Sequence, residues 1–141
     1  MKGRWFLAGL AGLTAVSGYL ADWNRTHLYN PRWPPHAKFH DAWSILLGTG
    51  LGGVSLWLLR RRGRDPELEL SLGAGLIALY WAGQGGSYLF PGTAGMESEF
   101  PGLLPRIGGI RLNEAVSSAG MLTLTAAAYA WARRERDIGS R

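Results

Sequence analysis

Residues 42–59 read AWSILLGTGLGGVSLWLL, eighteen consecutive positions without a charged side chain. A helix on the surface of a soluble bundle alternates polar and apolar residues at a period near 3.6. This stretch is apolar all the way round, relieved only by Gly, Ser and Thr. At about 1.5 Å per residue it extends roughly 27 Å, close to the ~30 Å hydrocarbon core of a bilayer. Three further stretches share its character: Trp5–Ala21, Leu70–Phe90 and Ala115–Ala132, of 17, 21 and 18 residues. The mean hydropathy of -0.02 and the 18% of charged residues look like a soluble chain, but the charges are segregated into the connecting segments. The fold class expected is all-α: an integral membrane four-helix bundle, a single domain over residues 1–141. Its helices fall at about 5–21, 42–59, 70–90 and 115–132, with outer loops at 22–41 and 91–112.

The basic residues set the expected orientation. Lys2, Arg4, Arg60, Arg61, Arg62, Arg64, Arg133, Arg134, Arg136 and Arg141 fall on one side, ten in all, against five (Arg25, Arg32, Lys38, Arg106 and Arg111) on the other. By the positive-inside rule both termini and the Arg60–Glu69 turn are cytoplasmic. The net charge of +5 follows from this bias, and no nucleic-acid partner is needed to explain it. The Arg60-Arg61-Arg62 cluster can also touch anionic head groups, though a topology anchor is the plainer reading. Lys2 and Arg4 before an apolar run resemble a secretory leader, but the run continues through Tyr19, Leu20 and Ala21 and reads as an uncleaved first helix. The chain has no cysteine, which excludes disulfides and thiolate metal sites. Its Arg, Gly and Ala bias suggests a GC-rich genome, and the expected location is multi-pass in a bacterial inner membrane.

Small residues crowd the helices, above all Gly48, Gly50, Gly52 and Gly53 on the second and Gly73, Gly75, Gly83, Gly85 and Gly86 on the third. Lipid supplies no hydrophobic drive between helices, so close backbone approach has to hold them together. The Gly83–Gly86 run can alternatively loosen the third helix where it lines a cavity. Trp5, Trp23, Trp43, Trp57 and Trp131 lie near helix ends, as an interfacial belt would place them. Trp81 instead sits inside the third helix, beside Tyr80 and Gln84.

The first outer loop, DWNRTHLYNPRWPPHAKFHD over residues 22–41, is dense in chemistry. It holds all three histidines, His27, His36 and His40, along with Asp22, Asp41, Asn24 and Asn30. Three prolines stiffen it, which suggests an ordered cap over the bundle rather than a connector. If Pro34 and Pro35 open the second helix, His36 and His40 share a face one turn apart. Such a pair can ligate a divalent metal, completed by His27 or a carboxylate. The plainer reading is that the histidines bond loop backbone or sit among head groups. Imidazole also suits proton transfer. Asn24-Arg25-Thr26 fits a glycosylation sequon, which the bacterial composition sets aside.

The second outer loop carries Glu97 and Glu99, placed to share a side of an extended segment and to meet the histidines across the bundle mouth. Leu103-Leu104-Pro105 and Ile107-Gly108-Gly109-Ile110 suggest a short interfacial or re-entrant segment. Asn113 and Glu114 follow at the outer start of the fourth helix. There a carboxylate is favoured by the dipole, with Arg111 as a partner, or serves as a partly buried acid. Ser117, Ser118 and Gln84 are the polar residues next deepest from this side.

The segment Asp22-Trp23-Asn24, Thr26-His27, Asn30-Pro31, Trp33, Pro35-His36-Ala37 and Phe39-His40 resembles the signature of an uncharacterised family of small four-helix membrane proteins found in bacteria and fungi. The resemblance implies that the first outer loop distinguishes the family; it implies no mechanism. In architecture the chain is also similar to the emopamil-binding and sigma-2 type proteins, which carry a lipophilic cavity with a few acidic or histidine residues. Some of those isomerise sterol double bonds. That likeness is of fold, which does not settle function.

Two functions are expected from these residues. One is acid–base chemistry, of isomerase or cyclase type, on a lipophilic isoprenoid- or lipid-like substrate. His36, His40, Glu114 and Asp41 are the candidate catalytic groups, and Trp23, Asn24, His27, Trp81, Gln84 and Asn113 the candidate ligand contacts. A divalent metal on His27, His36 or His40 is the one cofactor this set suggests. The other function is a non-enzymatic lipid binder or an accessory subunit, with a homo-oligomer or a membrane partner packed on the small-residue faces. A transporter fits poorly, since no helix carries a midplane charge and no inverted repeat is evident. Phosphate-binding loops, nucleophile elbows and kinase motifs are absent from the sequence.

Overall fold

A computed structural model describes residues 2–61 and 63–139. It is all-helical apart from one small hairpin. Four long helices run α1 (Lys2–Ala21), α2 (Pro35–Arg60), α3 (Pro66–Gly86) and α4 (Glu114–Gly139). Two 3₁₀ turns, Ser87–Leu89 and Met96–Ser98, and the strands β1 (Arg106–Ile107) and β2 (Ile110–Arg111) lie in the segment before α4.

Local chemistry sets the helix ends. Pro35 opens α2, where its missing N–H costs nothing. Asp65 caps α3, its carboxylate accepting from the Glu67 and Leu68 amides at 3.1 and 2.9 Å, with Pro66 next in line. The C-terminus of α2 is capped from another helix: Arg4 donates to the Leu59, Leu58 and Arg61 carbonyls at 2.8, 3.0 and 3.1 Å. α3 stays helical through the Gly83–Gly86 run and tightens to 3₁₀ at Ser87.

α1 packs on α2 and α4, and α3 packs on the same two helices, with α1 and α3 facing across the diagonal. Leu7, Leu10 and Ala11 of α1, Leu70, Ile77 and Trp81 of α3, and Met121, Ala128 and Ala132 of α4 form one buried cluster. Polar cross-links run through it. Ser55 donates to the Gly73 carbonyl at 2.7 Å, and the Ser71 and Tyr129 hydroxyls meet at 3.0 Å. At the turn end, Glu69 is buried and takes ion pairs from Arg61 at 2.7 Å and Arg4 at 3.3 Å. Those bonds, Arg61 first, hold its carboxyl below the ordinary range against the opposing effect of burial.

Among the described residues one helix, α2 (Pro35–Arg60), is long and apolar enough to cross a membrane. α1, α3 and α4 are diluted by Gly, Ala, Ser and Thr, so the expectation of four spans is met by composition in α2 alone. From the apolar segment over 103–110 the chain forms an antiparallel hairpin, in which Arg106 pairs with Arg111 and Ile107 with Ile110. Gly108 and Gly109 form its turn with φ of 56° and 83°, positive values that glycine adopts at no steric cost.

Candidate functional site

At the end of the bundle away from the Arg60–Glu69 turn, a cavity of about 810 Å³ opens among all four helices and both loops. Its walls are mostly apolar: Trp43, Leu47 and Leu51 from α2, Leu79 and Trp81 from α3, and Met96, Leu104 and Leu112 from the second loop. Its rim is acidic. Asp22, Asp41 and Glu114 line it with His27, and among the described residues no Lys or Arg does. A chamber of this size, apolar with a few converging polar groups, suits a small lipophilic molecule.

The first loop places Asp22 and His27. Asp22 follows the last residue of α1, and its amide still bonds to the Gly18 carbonyl at 2.8 Å. Asn24 then makes an Asx turn, its side-chain oxygen accepting from the Thr26 amide at 2.7 Å and the Thr26 hydroxyl at 2.6 Å. Asn30 is buried and closes the loop, donating to the Thr26 carbonyl and accepting from the Arg32 amide, both at 3.0 Å. Trp33 packs edge-on against the His27 ring, centroids 5.2 Å apart.

The His27 proton follows from this network. The single hydroxyl proton of Thr26 goes to Asn24, so the 2.8 Å contact between Thr26 Oγ1 and His27 Nδ1 requires Nδ1 to donate. In the neutral ring Nε2 is then an acceptor, 3.7 Å from Asp22 Oδ1. Burial, with the Glu114 charge adding to it, pushes the Asp22 carboxyl up to about 6. Asp41 is within electrostatic reach of both Asp22 and His27. Its Oδ2 is buried with no hydrogen-bond partner among the described residues, as are Ser118 Oγ and Glu97 Oε2.

Glu114 is tied down. It accepts from the Met96 amide at 3.0 and 3.2 Å and from the Tyr88 hydroxyl at 3.2 Å, holding the second loop to the start of α4. Asn113 caps that helix through the Val116 amide at 3.1 Å and donates to Glu97 at 3.0 Å. The two loops meet where Arg32 pairs with Glu99 at 3.5 Å and lies over the Phe100 ring. Glu99 thus meets an arginine of the first loop.

Of the residues singled out in the sequence, the cavity brings together Asp41, Glu114, His27, Trp81, Gln84 and Asn113. Trp23 lies outside it, stacked on Tyr19 with centroids 5.8 Å apart, and Asn24 builds the turn. His36 and His40 are exposed on the first turns of α2, also outside the cavity. Among the described residues no three His, Cys, Asp or Glu side chains gather as a metal set, and His27 does not join the other two. Sequence reasoning passed over Asp22, Ser17, Tyr80 and Trp43 as site residues. Asp22 had a legible signal: with Asp41 it brackets the first loop, each carboxylate adjoining an apolar stretch.

A protein-family model matches residues 7–140, and its description is a family of unknown function. No curated protein and no solved structure matches the chain.

Proposed function

We propose, for a chain that belongs to the DUF6640 family of unknown function, a multi-pass membrane protein that performs acid–base chemistry on a lipophilic molecule held in the loop-end cavity. The carrying observation is Asp41, which lines an apolar chamber with Asp22 and His27 and holds one buried carboxylate oxygen without a hydrogen-bond partner among the described residues. An isomerase needs an acid, a base and aromatic walls that tolerate positive charge. Asp41, the Asp22–His27 pair, and Trp43, Tyr80 and Trp81 supply these. Glu114 holds the loop rather than moving a proton.

Placement across a bilayer rests on the surfaces. Leu20, Leu46, Leu79 and Trp57 expose 74%, 63%, 61% and 57% of their area, which a soluble helix bundle would bury. The positive-inside bias puts both termini in the cytoplasm and the cavity on the far side, in a bacterial inner membrane. Trp43, Leu47 and Leu79 line the cavity from α2 and α3 and are also exposed. A substrate therefore enters sideways from lipid between these helices.

The test is isotope uptake. The chain in nanodiscs with native lipid extract, incubated in D₂O, incorporates deuterium into a retained non-polar molecule, and Asp41→Asn abolishes uptake without loss of the bound molecule. Retention with no uptake in the native chain would reject the enzyme. It would leave a lipid-binding or accessory protein, the reading favoured by the tethered Glu114. Gly83→Phe checks occupancy for both readings. A Cβ at Gly83 meets nothing within 4 Å and its position lines the cavity, so a ring there displaces the ligand while the helix packs as before.

A further inference from the structure

The first turns of α2 take no part in the cavity, yet they carry two converging imidazoles. Pro35 opens the helix, and His36 and His40 follow on one face. Both rings are exposed, with centroids 4.5 Å apart and planes at 77°. Their Nε2 atoms stand 3.1 Å apart. Two histidine nitrogens bound to one ion at about 2.0–2.1 Å, in adjacent square-planar or tetrahedral positions, are roughly 2.9–3.4 Å from each other. The observed separation falls inside that interval.

We propose that His36 and His40 form a two-ligand chelate, through Nε2 of each, for a divalent transition ion of the zinc–copper class at the loop end of the bundle. Imidazole suits these ions, and water fills the remaining positions. The neutral ring is the ligand form. Phe39 lies parallel to the His36 ring at 6.2 Å, holding its plane. Without metal the rings satisfy each other: one Nε2–H donates to the other Nε2. Metal entry needs only a shift of that proton to Nδ1 of the same ring, so none is lost. The site is independent of the cavity, since His27 stands there with Asp22.

The experiment uses the full chain in nanodiscs, without a polyhistidine tag and stripped with chelator. Cu²⁺ is titrated and followed by electron paramagnetic resonance, and Zn²⁺ by calorimetry. The expected result is saturable binding of a single ion per chain with couplings from two nitrogens. His36→Ala or His40→Ala leaves one coupling and weakens binding on the order of tenfold or more. His27→Ala binds as the native chain does. Both target side chains are exposed, and circular dichroism confirms that the variants keep their helix content. Native affinity in the His36→Ala/His40→Ala double variant, or no saturable binding by the native chain, overturns the site and leaves the pair as a surface hydrogen bond.

Discussion

Trp81 donates its indole N–H to the Thr14 hydroxyl at 2.9 Å, and Thr14 passes its own proton to the Leu10 carbonyl at 2.9 Å. Both side chains are buried, so this relay fixes α3 to α1 across the diagonal of the bundle, just beneath the cavity that Trp81 lines. Trp81→Phe keeps most of the packing and strands the Thr14 acceptor. The expected loss is about 1 kcal/mol, the usual net worth of one intramolecular hydrogen bond. In a double-mutant cycle Trp81→Phe and Thr14→Val are less than additive, measured by reversible unfolding in mixed micelles. Additive losses would mean that the bond carries no coupling.

Adjacent glycines on α2 separate close approach from mere smallness. A methyl placed on Gly52 would stand 2.7 Å from the Ala11 carbonyl and 2.8 Å from the Ala15 Cα, both backbone atoms of α1. Gly53 has nothing within 4 Å. Gly52→Ala forces α1 and α2 apart at a cost of roughly 1–3 kcal/mol. Gly53→Ala gains helix propensity, up to about 1 kcal/mol. Thermal unfolding of the two variants in one detergent compares them directly, and equal midpoints would show that the contact at Gly52 yields freely.

The same α2 illustrates how far the sequence could be read. Segregated charge and the Pro34-Pro35 step are local features, and from them four helices and the shared face of His36 and His40 are legible. The burial of Asp22 is not local, because it shares its cavity with residues of α2, α3, α4 and the second loop. The tie of Glu114 to Met96 spans the whole second loop, and helix periodicity says nothing about where such a loop lands. At Ile107–Ile110 the sequence did hold the answer. Two glycines between β-branched residues are a hairpin-turn pattern, and counting apolar residues obscured it.

Glu69 and Glu67 sit two residues apart and should respond very unequally to loss of charge. Glu69 is buried, with Arg61 and Arg4 as partners and the Gly63 amide at 3.4 Å. Glu67 is half-exposed, pairing with Arg133 at 3.0 Å. Glu67→Gln should cost no more than about 1 kcal/mol, as exposed ion pairs do. Glu69→Gln leaves Arg4 without a counter-charge beside the α2 carbonyls it caps, so its unfolding midpoint falls well below that of Glu67→Gln. Matching midpoints would place Glu69 among the surface pairs.

The raised carboxyl of Asp22 predicts how stability changes with pH. Its folded value, about 6, lies above the ordinary 3.8, so the folded state binds the proton more tightly than the unfolded one. A raised value means stability that is full below the unfolded pKa and is lost as pH climbs through the folded one. The native chain should therefore lose on the order of 2–3 kcal/mol between about pH 4 and pH 7, where Asp22 ionises beside Glu114 and Asp41. Asp22→Asn keeps the shape and removes the charge. Its unfolding free energy should be flatter over that window and exceed the native value at pH 7. Unfolding titrations at several pH values compare the two chains. A native chain no less stable at pH 7 than at pH 4, or an Asp22→Asn variant with the same slope, would mean that Asp22 ionises inside the fold without penalty.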